Sequence, residues 1–241
     1  MKTRMIRLIT TMVLACLALL VAWDAHPTMA CAAPARDIPD LSKEEDYRAF
    51  NIFLSNFSEG GVGLSMYANE REFVSLSASP EHLARFAFTN YAQNGGAYET
   101  MSNARWNVRV PVAKLDAILE RLCGTTLDDW SELNSTSSSF LYEDGYVYTQ
   151  ITNGFPLNGP AVTTSVEGWR KGTFRVEFDA YSYPKEKTGY KIGDRSQYSM
   201  TEPQLNNLLG VSGPDRRGYA IVWANKSDGE WKIQLVKYVL Y

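Results

Sequence analysis

One predicted strand brings acidic, basic and aromatic side chains together on a single face. Residues 174–182 alternate apolar and polar side chains, which is the pattern of a β-strand with one buried face. The polar positions include Arg175, Glu177, Asp179 and Tyr181. If this face lines a pocket, Glu177 or Asp179 could act as a general base, but if it meets water it is the ordinary wet face of an antiparallel sheet. We favour the wet face.

Aromatic side chains in polar surroundings are the second feature with functional content. The chain has 14 Tyr and 6 Trp. Exposed Tyr and Trp favour recognition of sugars, peptides or proteins, because they offer contact area with a polar handle and lose little entropy. The alternative is that these rings are sheet residues and loop anchors. The predicted ligand-binding residues are Trp169, Arg175, Glu177, Asp179, Tyr181, Tyr183, Tyr190 and Tyr198.

The first 35 residues have the pattern of a secretory signal peptide. Three basic residues precede a mostly apolar run over residues 8–23, and small residues follow, so that cleavage after Ala32 or Ala35 would fit. An uncleaved anchor is the alternative, although a membrane span needs about 17 to 25 apolar residues. We therefore predict a secreted or extracytoplasmic protein with a leader over 1–35 and a single domain over 36–241.

Cysteine and charge narrow the possible partners. Cys16 and Cys31 lie in the leader region, where either could carry a lipid anchor. We therefore expect membrane contact only through the leader or such an anchor. Cys123 would then have no disulfide partner. The leader carries three bases and one acid, so the net charge of −3 becomes −5 without it. A chain with that charge and no basic cluster is not expected to bind nucleic acid.

Histidine and cysteine are too scarce for most catalytic and metal sites. Without the leader, the one remaining histidine is His82, in the first turn of a predicted helix, where the helix dipole disfavours its protonated form. Cys123 lies four residues after Leu119 on the apolar side of a helix, which predicts a buried structural thiol. Two such ligands do not complete a zinc site. We predict no catalytic residue, no metal and no cofactor.

Three amphipathic helices are predicted in the N-terminal half. The first spans residues 43–57 after an N-cap at Ser42 and ends at a double glycine. A second begins at Pro80 after an N-cap at Ser79, and a third begins at Pro111. In the first helix the core positions are Phe50, Phe53, Leu54 and Phe57, and the positions expected to face outward or cap the helix are Ser55, Asn56, Ser58 and Glu59.

After residue 139 the hydrophobic period changes from that of helices to that of strands. Hairpins are predicted at Asp144-Gly145, near Lys171-Gly172, and at Asp228-Gly229. A polar connection over 184–217 holds a short helix with Thr201 as its N-cap. The predicted fold class is α+β, with three N-terminal helices packed on a curved antiparallel sheet of about five strands.

This element order resembles the NTF2-like family, whose fold is a cystatin-like cone. The order is helix, helix, short strand, helix and then long hairpins, ending in the segment DGEWKIQ from Asp228 to Gln234. The resemblance covers roughly residues 43–241, and the insertion over 184–217 departs from compact members. The leader and the segment FLSNFSE also resemble those of uncharacterised secreted or envelope bacterial proteins. Cone folds host enzymes, ligand carriers and interaction modules, so the resemblance does not select among them.

The function predicted from the sequence is therefore a non-catalytic binding module at the cell exterior or envelope. Its expected partner is a protein, a peptide or a cell-wall ligand. The alternative is a cone-type hydrolase or isomerase that uses Glu177 or Asp179 as a base in a pocket. A purely structural role also remains open.

Overall fold

A computed structural model describes residues 37–61, 72–102, 105–137, 139–151, 158–170, 172–183 and 195–241. The predicted leader, Lys171 and Tyr190 lie outside the described residues. The contacts of Asp37–Tyr241 make it one unit.

The predicted helices are present. The five described helices are α1 Glu44–Ser58, α2 Pro80–Gln93, α3 Val112–Cys123, α4 Leu133–Thr136 and α5 Glu202–Leu209. The short segments Ser75–Ser77, Trp130–Glu132 and Gln197–Ser199 form 3-10 turns. No described helix combines the length and the apolar character needed to cross a membrane.

Two of the three N-cap residues predicted from the sequence cap their helices in the structure. Ser79 accepts from the backbone N–H of His82 at 3.3 Å, and Thr201 forms a capping box with Gln204. The prediction of Ser42 as the N-cap of α1 is wrong. Lys43 occupies the cap without a side-chain hydrogen bond, because the Ser42 hydroxyl donates instead to Asp40 Oδ1 at 2.7 Å.

Nine described strands form two antiparallel sheets, which makes the fold α+β. The strands are β1 Glu72–Val74, β2 Glu99–Thr100, β3 Val108–Pro111, β4 Phe140–Glu143, β5 Tyr146–Thr149, β6 Asn158–Gly168, β7 Thr173–Ser182, β8 Arg216–Ser227 and β9 Glu230–Leu240. The larger sheet has five strands in the order β1-β9-β8-β7-β6, and the smaller has four in the order β2-β3-β5-β4.

The sequence analysis predicted one sheet, and this prediction is wrong because the described strands form two. The β4–β5 hairpin pairs with β3 and does not join the long hairpins. Its position is fixed by the start of α3, because the Val112 N–H donates to the Gly145 carbonyl in the hairpin turn at 2.9 Å. The short strand before α3 is thereby held beside β5.

The two Asp-Gly turns are confirmed as tight hairpin turns. Asp144 and Asp228 have φ angles of 50° and 54°, and the glycines that follow them have 78° and 82°. Two successive residues with positive φ define the type I′ turn, whose twist matches that of the flanking strands. These turns fix the register of β4 with β5 and of β8 with β9.

The main core lies between α1, α2 and the larger sheet. Phe57 of α1 stacks on Phe86 of α2 with ring centroids 4.8 Å apart, and Tyr238 lies between Phe57 and Phe178. The predicted core positions of α1 are buried, with Phe50 at 0% exposure. The apolar positions of β7 also face this core, as the alternation predicted.

Candidate functional site

A row of polar side chains on α1 bonds to the backbone of β6. Asn51 accepts from the Thr163 N–H at 2.7 Å, Ser55 accepts from the Ala161 N–H at 2.9 Å, and Ser58 donates to the Gly159 carbonyl at 2.8 Å. Because β6 is an edge strand, these side chains take the place of a neighbouring strand.

This row corrects the prediction for the polar residues of α1. Ser55, Ser58 and Glu59 are 1%, 3% and 7% exposed, so they do not face water. The physical reason is that buried polar groups need partners, and the outer edge of β6 offers them. Asn56 is partly exposed, and its side-chain carbonyl accepts from Asn90 Nδ2 of α2 at 2.8 Å.

Glu59 directly follows α1 and carries a buried carboxyl group. The Tyr198 hydroxyl lies 3.1 and 3.3 Å from its two oxygens and donates to them. Burial raises the pKa of Glu59 to about 7, although the hydrogen bond from Tyr198 acts in the opposite direction. A carboxyl group with such a pKa exchanges a proton near neutral pH, and perturbed groups of this kind are concentrated at functional sites.

The carboxyl group of Glu59 lines an open groove of about 1010 Å³, which we call the α1 groove. Its apolar wall is made by one face of α1 and by the larger sheet, with Ile52, Phe53, Trp223, Trp231 and Ile233 as the large side chains. Its polar lining includes Glu59, Asn56, Tyr198, Arg195, Glu120, Arg121 and Lys232. Large pockets that join an apolar wall to a few polar groups are the usual form of a small-molecule site.

A partly buried ion pair positions the tryptophan of the groove wall. Trp231 Nε1 donates to Asp46 Oδ1 at 2.6 Å, and Lys226 Nζ lies 2.8 Å from the same oxygen. Burial opposes ionisation of Asp46, but hydrogen bonds from Lys226, the Asp40 backbone and Trp231 together lower its pKa. Trp231 also packs edge to face on Phe50, with ring centroids 5.7 Å apart. The indole is therefore held rigidly beside α1.

In the first half of the predicted binding face, which holds Trp169, Arg175 and Glu177, the charged side chains bond to one another. Arg175 bonds to Glu177 through Nε at 2.7 Å, and its guanidinium lies 4.0 Å from the centre of the Tyr219 ring. Glu177 accepts its second hydrogen bond from the Tyr241 hydroxyl at 2.8 Å. Trp169, 5.7 Å from Arg175, is 48% exposed. The charges of this face are thus already partnered, and Trp169 is the group that it offers to solvent.

The second half of that face is covered, so the prediction of a wet face is wrong there. Asp179 and Tyr181 are 5% and 3% exposed. Tyr181 and Tyr183 pack with Leu205 and Leu209 of α5, the helix inside the connection that the sequence analysis treated as mostly polar. Burial raises the pKa of Asp179, opposed by Arg217, whose Nε lies 3.4 Å from its carboxylate.

The predicted tyrosines are anchors wherever the structure describes them. Tyr183 donates to Gln197 at 2.8 Å, Tyr198 donates to Glu59, and both rings are buried. The expectation that these rings are exposed is wrong, whereas their role in ligand binding stays a prediction. The structure brings Trp169, Arg175 and Glu177 together, but Tyr198 belongs to the separate α1 groove.

Sequence reasoning missed Glu59 and the rest of the α1 groove. A usable signal was present, because residues 49–58 contain no charged side chain. A helix exposed on one face normally carries Lys, Arg or Glu there. Ten residues without a charged side chain therefore indicate a helix that is covered on several sides. Glu59 is the first charged residue after them, so this pattern predicts that its side chain is buried as well.

Cys123 and His82 lie in the positions that the sequence predicted for them. Cys123 is 3% exposed, and burial raises the pKa of its thiol to about 12, so it is not a nucleophile near neutral pH. His82 lies in the first turn of α2 and is partly exposed. Within the described residues, no three His, Cys, Asp or Glu side chains come together as a metal site requires.

Comparison with known proteins assigns no relative to this chain. No protein-family model matches the sequence, and neither the curated proteins nor the solved structures contain a significant match.

Proposed function

We propose that the chain is a non-catalytic binding module of the cell exterior or envelope that holds a small-molecule ligand in the α1 groove. The observation that carries the proposal is the groove itself, which is lined both by a firmly held indole and by a buried, titratable glutamate. The larger predicted face supports binding less well, because Arg175 and Glu177 already satisfy each other.

Extracytoplasmic location and the cone fold belong to the same proposal. The basic, apolar and small-residue order of residues 1–35 supports export. Three helices beside a five-stranded antiparallel sheet support an NTF2-like cone, with the four-stranded sheet as an addition. Expression of the full chain in a bacterial host, followed by fractionation and the intact mass, tests whether the chain leaves the cytoplasm and where the leader is cut.

An enzyme of the hydrolase or isomerase type is the second candidate. The observation in its favour is that Glu59 has the burial and proton affinity of a general acid–base group. Glu59 would replace the previously considered Glu177 and Asp179, which are engaged by Arg175 and Arg217. The binding proposal is simpler because it needs only the groove and no second reacting group.

The test of ligand binding fills the groove by substitution. Ala49 lines the groove on α1, whereas Ala113 is exposed on α3 outside it, so Ala49→Trp and Ala113→Trp form a matched pair. We expect a fluorescent amphiphile, 11-(dansylamino)undecanoic acid, to receive energy transfer from the wild-type tryptophans and to bind Ala113→Trp equally well. Ala49→Trp should weaken binding at least roughly tenfold, since the new ring occupies the site. Equal binding to both variants would move the site elsewhere.

A further inference from the structure

We propose that the ligand of the α1 groove is a small carboxylate amphiphile, with its head group between Glu59 and Arg195 and its apolar body along Trp231. This inference rests on the proposed binding function and adds the chemical class of the ligand. It commits to a small molecule because a groove of about 1010 Å³ is at the upper end of the range for such ligands.

The charges in the groove select an anion. Among the described residues that line it, Arg121, Arg195 and Lys232 are exposed cations and Glu120 is an exposed acid. None of the ion pairs between described residues involves these three cations. The whole chain is acidic, with a net charge of −3, whereas the described exposed charges of this groove are mostly positive. Such a patch attracts anions and raises their association rate.

Glu59 can contribute to anion binding as a hydrogen-bond donor. A protonated carboxyl group donates its O–H, whereas an ionised one only accepts and would repel a carboxylate. Burial with a raised pKa keeps a substantial fraction of Glu59 protonated at neutral pH. The Tyr198 hydroxyl donates to the carboxyl group of Glu59 and thereby fixes its position in the groove.

In the part of the chain that the structure describes, the side chains that bond to Glu59 are those of Gln93 of α2, Asn158 of β6 and Tyr198 of the segment before α5, and none of them is an acid. Asn56, Asn94 and Arg195 line the same groove. Gln93 Nε2 donates to the backbone carbonyl of Glu59 at 2.8 Å, which satisfies a carbonyl at the negative end of α1. Among the described residues, the partner of the Glu59 carboxyl group is therefore the Tyr198 hydroxyl, and the amides of Gln93 and Asn158 bond to the backbone carbonyl.

The apolar body of the ligand has a matching wall. Ile52, Phe53 and Trp231 line the same groove, and Asp46 and Phe50 hold the Trp231 indole in place. A flat indole and branched aliphatic side chains accept alkyl or ring systems without directional requirements. The combination of this wall with a cationic rim specifies an amphiphile and not a simple anion.

The first experiment compares three probes that share one body. They are 11-(dansylamino)undecanoic acid, its primary amide and the corresponding terminal amine, each titrated into the full chain by energy transfer from tryptophan. We expect the acid to bind at least roughly tenfold more tightly than the amide, with the amine weakest. Equal binding of all three would overturn the carboxylate inference and leave the binding function standing, whereas no binding of any probe would overturn both.

The second experiment tests Glu59 by pH. The affinity of the wild-type chain for the acid probe should fall as pH rises above about 7, by up to roughly tenfold per pH unit, because the donor form of Glu59 is lost. Glu59→Gln keeps an uncharged donor and should show little pH dependence. Glu143→Gln, an exposed substitution in β4, should behave as wild type. A pH profile that is the same in wild type and Glu59→Gln would overturn the role of Glu59.

The third experiment tests the cations. Arg195→Gln should weaken the acid probe several-fold and leave the amide probe unchanged, since it removes charge and not wall area. Lys114→Gln, on the exposed part of α3 outside the groove, is the matched control and should affect neither probe. Equal loss of acid and amide binding in Arg195→Gln would show a structural role for Arg195 and would contradict head-group recognition.

Discussion

The pH dependence of stability should change when Glu59 is replaced by glutamine. The folded chain raises the pKa of Glu59 from the ordinary value of 4.5 to about 7, so the folded state holds the proton more tightly than the unfolded state. Stability contributed by the protonated carboxyl group is then fully present below pH 4.5 and is lost as pH rises through 7. The Glu59→Gln chain lacks this proton and should lack this part of the pH dependence.

The size of the effect follows from the shift. Each pKa unit corresponds to about 1.4 kcal/mol, so the full shift is worth about 3 kcal/mol and the window from pH 5 to pH 8 covers about 2 to 3 kcal/mol of it. No discount for solvent screening is needed, because Glu59 is only 7% exposed. At pH 8 the wild-type chain therefore carries a buried carboxylate with one strong donor, Tyr198, and the glutamine variant does not.

Urea unfolding followed by tryptophan fluorescence at pH 5, 6, 7 and 8 measures this difference. The free energy of unfolding of Glu59→Gln should rise relative to wild type by about 2 to 3 kcal/mol between pH 5 and pH 8. Glu143→Gln, whose side chain is exposed, should run parallel to wild type throughout. Parallel curves for Glu59→Gln and wild type would show that the carboxyl group of Glu59 is not desolvated in solution.

Two further substitutions test the packing that surrounds the site. Asn51→Ala removes a side chain with 0% exposure that bonds to two backbone groups, and it should lower the free energy of unfolding by roughly 2 to 4 kcal/mol, whereas the exposed Asn225→Ala should change it little. Gly218→Ala should lower the free energy of unfolding by roughly 1 to 3 kcal/mol in the same urea assay, because the added Cβ would meet the Val239 carbonyl oxygen. Gly168→Ala is the control, since the space around its Cβ is open. Equal stability of these two variants would contradict the close packing of the strands at Gly218.

Turns, helix caps and helix faces could be predicted because each is determined by a few residues that are close in the sequence. The Asp-Gly turns, the Ser79 and Thr201 caps and the apolar stripe of α1 each depend on a few neighbouring residues, and all are confirmed. The strand before α3 was also predicted, but its partner was not. Pairing of β3 with β5 depends on residues about forty positions apart in the chain, and alternation alone does not specify which strands pair.

The expected exposure of two tyrosines was wrong for a related reason. Polar neighbours in the sequence suggested exposure for Tyr181 and Tyr183, yet α5 folds over them and places Leu205 and Leu209 against their rings. Local composition describes the neighbours along the chain, whereas burial is decided by the elements that pack across it. An amphipathic helix of eight residues in a polar connection must cover something, because its apolar side is otherwise left in water.

The segment NIFLSNFSEGG shows how one helix can serve packing and function together. Asn51, Ser55 and Ser58 recur at the helical period, as the apolar residues beside them do, so a buried polar stripe and a wet one have the same spacing. The buried stripe differs from a solvent-exposed one in the size and charge of its side chains. Small uncharged side chains can bond at close range to the unpaired backbone groups of an edge strand, whereas the longer Lys or Glu would keep the strand at a greater distance from the helix. With that stripe fixed to β6 and the apolar stripe fixed in the core, the helix ends at a defined place. Glu59 is therefore carried into the groove by the same residues that close the sheet edge.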